Sequence, residues 1–261
     1  MSETLAPENL SAIFKAYDVR GLVGEQLDET LAQRIGAAFV EVTGASTVVV
    51  GYDMRSSSPG MAGAFADGAA GAGADVVLIG LASTDQLYFA SGHLGHPGAM
   101  FTASHNPAAY NGIKMCRAGA APIGMETGLA EIRDAVASGR TPTATRVGSI
   151  SNHDVLEAYA AHLLSLAPVK GRRLKVVADA GNGMAGLTAP AVFERVGTTR
   201  SSWCRCSSSS TAPSPTTRPT RSSRTTWSTC RSGCWPRTPT SAWPSTATPT
   251  AASSLTSEDT R

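Results

Sequence analysis

Two short stretches, STVVVGYD at residues 46–53 and DVVLIG at 75–80, carry unbroken apolar, β-branched centres. A strand wet on one face alternates apolar with polar residues. An unbroken run is what a strand covered on both faces requires. Such strands belong to sheets with helices on both sides, so these runs direct the chain toward an α/β layer architecture. A third strand, GAMFTAS, is expected at 98–104.

The segments between them read as helices. LDETLAQRIGAAFVEVTG (27–44) has Asp28 as a plausible N-cap, an apolar stripe of Leu31, Ile35, Phe39 and Val42, and Gly44 as a stop. GMAGAFADGAAGAGA (60–74) reads as a helix weakened by its glycines, and STDQLYFASGHL (83–94) as a short helix capped by Ser83 or Thr84. METGLAEIRDAVASG (125–139) reads as a further helix. The alternation predicts a mixed, largely parallel sheet flanked by helices, with a first domain over residues 1–145.

The segment RTPTATRVGSI (140–150) is expected to be a linker or an edge crossing. A second, similar unit then begins, assigned to residues 146–198. It has a helix in HDVLEAYAAHLLSL (153–166), with Val155, Leu156, Tyr159, Leu163 and Leu164 on one side. A strand in LKVVADA, a turn in GNGMAG and a helix in LTAPAVFERVG follow, the last ending at Gly197.

The text changes near residue 198. Ser, Thr, Pro and Arg dominate residues 199–261, Lys is absent, and Glu258 and Asp259 are the only acids there. So few large aliphatics predict disorder. Elsewhere the averages are ordinary. Apolar residues make up 42% of the chain, enough for a core, and a net charge of +2 gives no reason to expect nucleic acid as a partner. The start, MSETLAPENL, lacks the basic and apolar regions of a signal peptide, and no apolar run is long enough to span a bilayer. A cytoplasmic protein without membrane association is expected, whose cysteines need not form disulfides.

TASHNPAAYNGIK (102–114) follows the third strand and reads as one polar loop. Loops past the C-terminal ends of parallel strands are where such sheets hold ligands. Ser104 is a possible nucleophile, and His105 and Lys114 could move protons or supply charge. The same letters also suit an ordinary turn, with Ser104 capping, Asn106-Pro107 turning and Lys114 solvated.

This stretch resembles the phosphoserine loop of the α-D-phosphohexomutases, the phosphomannomutase and phosphoglucomutase family. YDVRG at 17–21, GYDMRSSSP at 51–59 and VVADAGNGMAG at 176–186 are similar to other parts of that family in the same order. The resemblance covers residues 10–197, approximately, and implies an intramolecular phosphotransferase, an isomerase that interconverts hexose 1-phosphates and 6-phosphates of mannose or glucose. Ser104 would carry the phosphoryl group and give it to a sugar hydroxyl. The resulting bisphosphorylated sugar would reorient and return its other phosphate. Lys114 would act as general acid or base, Arg20 would steady the phosphoryl group and His105 would help to position it. Arg55 is a candidate for supporting substrate binding, with a structural ion pair to Asp53 as the alternative. The resemblance also implies Mg²⁺, held by Ser104 as phosphoserine and by three aspartates of a D-G-D-x-D-R motif, since a hard cation takes oxygen ligands.

That motif is absent from the chain. SAWPSTATPTAAS (241–253), back-translated with GC-rich codons and read two bases later, gives GLAFDGDADRCF. Only the first base of each new codon comes from a free wobble position, so such a motif is hard to produce by choice of codons. The same shift turns SSWCRCSSSSTAPSPTTRPT (201–220) into a reading with an apolar strand. An insertion or deletion of bases near residue 198 or 199 accounts for both. The chain as written is then expected to be inactive and poorly soluble, with sheet edges left unpaired.

Other readings stand beside this one. Cys204, Cys206, Cys230 and Cys234 loosely mimic paired zinc ligands, without a zinc-site spacing. The Arg/Ser spacing of the tail suggests an RNA-binding segment, and SPTTRP a polyproline ligand. GNGMAG has the glycine spacing of a dinucleotide-binding turn, which would make the protein an oxidoreductase. A non-catalytic fragment that binds a phosphosugar is the alternative from a different functional class.

Overall fold

The computed structural model describes residues 7–140, 144–169, 174–178, 180, 183–196 and 201–205. Helix α1 (Pro7–Ile13) leads into strand β1 (Val19–Leu22), and α2 (Glu29–Thr43), β2 (Thr47–Tyr52), α3 (Ser58–Gly71), β3 (Asp75–Leu81), α4 (Thr84–Leu94) and β4 (Gly98–Phe101) follow. Next come β5 (Tyr110–Arg117), β6 (Ala121–Pro122), α5 (Leu129–Ala137) and β7 (Ile150–Asn152). The second unit supplies α6 (Leu156–Leu166), β8 (Leu174–Ala178), α7 (Ala185–Arg195) and β9 (Ser201–Arg205).

The main sheet has the order β1-β5-β4-β2-β3-β7, with β6 beside β5. β7, β3, β2 and β4 are mutually parallel, and β5 is antiparallel to β4, β1 and β6. One strand, β5, therefore runs against all the others.

Both faces of the sheet are covered, as the unbroken apolar runs require. On one face Phe39 of α2, Phe65 of α3 and Phe101 of β4 are buried, with ring centroids 5.7 and 5.6 Å apart in sequence. On the other, Val49, Ile79 and Met100 pack with Leu87 and Ala90 of α4 and with Val155.

Local chemistry fixes the helix ends. The Leu31 amide donates to Asp28 Oδ1 at 2.7 Å, and Gly44 closes α2 in the left-handed region at φ 65°. Of the two candidate caps for α4 the structure uses Ser83, which forms a capping box with Gln86. The glycines that weaken α3 in isolation let it lie against α2. A Cβ at Gly68 would stand 1.9 Å from the Gln33 carbonyl oxygen, and one at Gly36 would stand 2.1 Å from that of Phe65.

The structure departs from the sequence reading at residues 102–114, 125–139 and 201–205, while the 140–150 segment ends on a sheet edge as one of its two readings expected. Residues 102–114 are not one loop: Tyr110 opens β5, and YDVRG supplies the strand β1 that pairs with it. β5 tolerates a fully buried Asn111 because the amide donates to Ser57 Oγ and Ser58 Oγ at 2.8 and 3.0 Å, while its oxygen accepts from the Gly112 amide. The helix expected over 125–139 is broken, with a single 3₁₀ turn at Met125–Thr127 and α5 starting only after Gly128 at φ 131°. The 140–150 segment ends on the edge of the first sheet, where β7 pairs with β3. Asp75 secures that edge: it accepts from Arg146 and Ser149, and these bonds hold its carboxyl far below the usual carboxylate range. Finally, residues 201–205, expected in a disordered tail, form β9 parallel to β8. Pairing of this kind uses backbone groups and does not need large aliphatic side chains. SAWPSTATPTAAS and Cys206, Cys230 and Cys234 lie outside the described residues.

Candidate functional site

β4 delivers the chain from the core to the surface at its C-terminal end, and residues 102–109 turn it back into β5. Two turns build the bend, with the Asn106 amide donating to Ala103 O and the Tyr110 amide to Pro107 O, both at 3.0 Å. Between them Ser104 is exposed and adopts φ 53°, in a region that L-residues other than Asn and Asp seldom enter. Its amide donates to Thr102 Oγ1 at 3.0 Å, and its Oγ lies 3.2 Å from His105 Nδ1. Ser104 therefore caps no helix, and its hydroxyl is presented to solvent.

Arg20 and Lys114 come from the two strands on the β5 side of this bend. Arg20 sits opposite Gly112 in the β1–β5 ladder, and Lys114 opposite Met100 in the β5–β4 ladder. Glycine is required at 112, because a Cβ there would stand 2.3 Å from Val19 O. Asp18 joins the two cations: its Oδ2 accepts from Arg20 Nη2 at 2.6 Å and from Lys114 Nζ at 3.3 Å. Arg20 Nη1 also donates to Asn106 Oδ1 at 2.9 Å, linking the basic pair to the serine loop.

On the other side of Ser104 lies a cleft of about 280 Å³ whose walls include Asp53, Thr84, Asp85, Thr102 and Met184. Met184 belongs to the GNGMAG segment, so the start of α7 and the N-terminus of α4 both border the space beside the serine. Asp85 is engaged there by Tyr159, whose hydroxyl donates to it. Burial, and secondarily this bond, hold the Tyr159 phenol well above its usual pKa.

Arg55 is nearby but otherwise employed. Its side chain is 8% exposed, its Nε lies 3.3 Å from Asp53 Oδ2, and its terminal nitrogens donate to loop carbonyls. The ion pair considered for it with Asp53 is present, and it accompanies a role in holding the loop.

Among the described residues, no group of three or more His, Cys, Asp or Glu side chains is placed to hold a metal ion. Nor are the carboxylates near Ser104 free. Asp53 accepts from Ser58 Oγ and the Arg55 amide, and Asp18 is shared by Arg20 and Lys114. By themselves these side chains do not make a Mg²⁺ site.

The structure thus brings Ser104, His105, Arg20 and Lys114 together around one bend, with Arg55 beneath it. Sequence reasoning missed Asp18, although the signal was available: in D-x-R at 18–20 the two charged residues are two apart, which in extended backbone puts them on one face. It also missed Asn106, whose side chain is read only once Arg20 is known to face it.

The model of phosphoglucomutase/phosphomannomutase, alpha/beta/alpha domain I, matches residues 11–142. The chain is 43% identical over 187 residues to a phosphomannomutase of Salmonella typhimurium, covering 70% of this chain and 41% of that protein. It is 43% identical over 176 residues to a protein of Xanthomonas campestris described as phosphohexose mutases, covering 67% of this chain and 39% of the other. The structure aligns with a crystal structure of a phosphoglucomutase/phosphomannomutase family protein from Burkholderia thailandensis at a TM-score of 0.66 and 36% identity, over 74% of this chain and 43% of that one. The chain spans about two-fifths of the length of the curated relatives it matches.

Proposed function

The chain belongs to the phosphoglucomutase/phosphomannomutase family, and on that premise we propose that it carries the phosphoryl-bearing half of an intramolecular phosphotransferase acting on hexose phosphates. Ser104 is the carrier. The observation that supports this most is its placement: an exposed hydroxyl at φ 53° on the C-terminal end of β4, beside two cations.

The chemistry follows from those groups. A sugar hydroxyl of a mannose or glucose phosphate attacks the phosphorus on Ser104. The new O–P bond forms as the P–Oγ bond breaks, leaving a free serine and a hexose bisphosphate. Lys114, entering the step as the neutral amine, takes the proton from the attacking hydroxyl, and the leaving Ser104 Oγ picks up a proton in its place. The sugar reorients, Ser104 Oγ attacks its other phosphate, and the proton returns to the leaving sugar oxygen. Arg20 supplies fixed positive charge to the equatorial oxygens of the moving group, and Lys114 adds to it once it has taken the proton; such charge is most of what the transfer demands of a protein. His105, 3.2 Å from Ser104 Oγ, orients the hydroxyl.

The described residues do not make a Mg²⁺ site by themselves; the resemblance implies that Mg²⁺ would add charge neutralisation at this group. Besides Ser104 as phosphoserine, the ligands that the resemblance implies are three aspartates of a D-G-D-x-D-R motif, and we attribute their absence to a change of reading frame near residue 198. For the chain as written, the second reading is therefore a fragment that binds a phosphosugar without turnover. It is favoured by the lack of a D-G-D-x-D-R motif in the sequence. We place the protein in the cytoplasm, without nucleic-acid or membrane partners. Among the described residues no helix is long and apolar enough to cross a membrane.

The test has three arms. Intact mass after incubation with glucose 1,6-bisphosphate is expected to show one added phosphoryl group in the wild type and none in Ser104→Ala; addition that survives the substitution refutes the assignment. A coupled assay with mannose 1-phosphate or glucose 1-phosphate and Mg²⁺ is expected to show turnover only after the frame is restored. Sequencing across codon 198 decides the frame directly.

A further inference from the structure

Arg55 reaches from the end of β2 under the whole Ser104 bend. Nη2 donates to the carbonyl oxygens of Ser104 and Asn106, both at 2.8 Å, and Nη1 to those of Pro107 and Tyr110, both at 2.9 Å. A guanidinium has five N–H donors, four of them on the terminal nitrogens. All four are spent on the loop. The fifth, on Nε, is buried and makes no hydrogen bond, although Asp53 Oδ2 lies 3.3 Å from that nitrogen. No accessible donor is left for a phosphoryl oxygen, so Arg55 cannot act as an anion ligand while the loop holds this shape.

The arginine is itself held. Asp53 Oδ1 accepts from Ser58 Oγ at 2.7 Å and from the Arg55 amide at 3.0 Å. Ser58 Oγ in turn accepts from Asn111 Nδ2 at 3.0 Å, and Asn111 lies on β5 where the loop ends. The network runs from the end of β2, through the start of α3, to the first residues of β5, and Arg55 closes it across the loop. A left-handed serine persists only where its surroundings over-determine the backbone, and this network does so.

We propose that Arg55 is the positioning residue of the Ser104 loop, fixing by four carbonyl contacts the backbone that aims the Ser104 hydroxyl. The proposal rests on the reading of Ser104 as phosphoryl carrier. Lysine cannot substitute, because an ammonium donates from a single point and the four carbonyls are spread over residues 104 to 110.

The experiment compares the chain as written with Arg55→Lys by amide hydrogen exchange. The reporters are the amides of Ser104, Asn106 and Tyr110, each hydrogen-bonded within the bend; the references are amides of α2 and β2. The expected result is exchange more than about tenfold faster at the reporters, with the references unchanged. Unchanged reporters, or references that loosen by the same factor, overturn the proposal. A second readout, in the frame-restored protein with Mg²⁺, is phosphoryl arrival at Ser104 from glucose 1,6-bisphosphate, followed by mass. It is expected to be slowed in Arg55→Lys by about tenfold or more, and equal rates overturn the proposal. A frame-restored wild type that takes up no phosphate sinks the reading of Ser104, while the exchange comparison still decides whether Arg55 holds the loop. If Arg55→Lys does not fold, Asp53→Asn takes its place. It keeps the guanidinium but removes the charge that orients it, so a smaller acceleration at the same reporters is expected, and none overturns the proposal.

Discussion

Residues 19–152 and residues 156–205 both alternate short strands with amphipathic helices, yet they are built to different depths. The first region sandwiches its sheet between α2, α3 and α5 on one side and α4 on the other, and buries three phenylalanines in a row. In the second, β8 pairs with β9, and among the side chains described α6 buries Tyr159 and Ala160 while α7 buries Pro190. α6 packs against α7, where Arg195 pairs with Glu157, and it also reaches the first region: Phe89 of α4 meets the rings of Tyr159 and His162 at 5.8 and 5.1 Å. Leu166 and Val169 are left 69% and 56% exposed. A strand–helix pattern is thus necessary for this fold and not sufficient. The first region is secured by layers on both faces of one sheet.

The contrast can be broken most directly in the cores. Phe65→Ala removes a fully buried ring and is expected to cost about 3–5 kcal/mol. Leu187→Ala on half-buried α7 is expected to cost less than about 1 kcal/mol. Urea unfolding followed by hydrogen exchange checks both, and comparable losses would erase the difference between the regions. A finer comparison stays inside α3. Gly68→Ala forces a Cβ to within 1.9 Å of Gln33 O and is expected to destabilise by about 2–3 kcal/mol. Gly63→Ala has no neighbour within 4 Å and is expected to stabilise by about 0.5–1 kcal/mol. Thermal unfolding of the pair separates close packing from helix propensity.

The smallest effect concerns the contact between the regions. The Tyr159 phenol is raised in the folded state, by burial first and by Asp85 second. A raised group contributes stability that is fully present below its unfolded value of about 10 and is lost as pH rises through the folded one. Protection of α6 amides is therefore expected to hold at neutral pH and to fall above pH of about 10, with Tyr159→Phe removing that dependence. An unchanged profile in the phenylalanine variant would show that Tyr159 does not couple the two regions to pH.

Much of the first region is legible in the sequence because its strands announce burial and its helices carry their own caps, Asp28 and Ser83 among them. β1 and β5 are not, because they are read as chemistry. YDVRG and YNGIK carry charge and amide groups that look like loop until Asn111 is seen to be satisfied by Ser57 and Ser58. The site shows the same division. Ser104, His105 and Lys114 stand together in one stretch, and Arg20 joins them through the family resemblance. The loop-holding contacts of Arg55 depend on the path of eight intervening residues, 102–109, which no periodicity encodes. Asp18 gains its meaning only when two strands bring Arg20 and Lys114 to the same oxygen.

The reversal of β5 has a mechanical consequence. Since β5 returns directly alongside β4, with Lys114 opposite Met100, the serine-bearing bend and the lysine are gauged against one another by a hydrogen-bonded ladder. If Ser104 and Lys114 act as proposed, the span that a proton and a phosphoryl group must cross is ruled by a single hairpin.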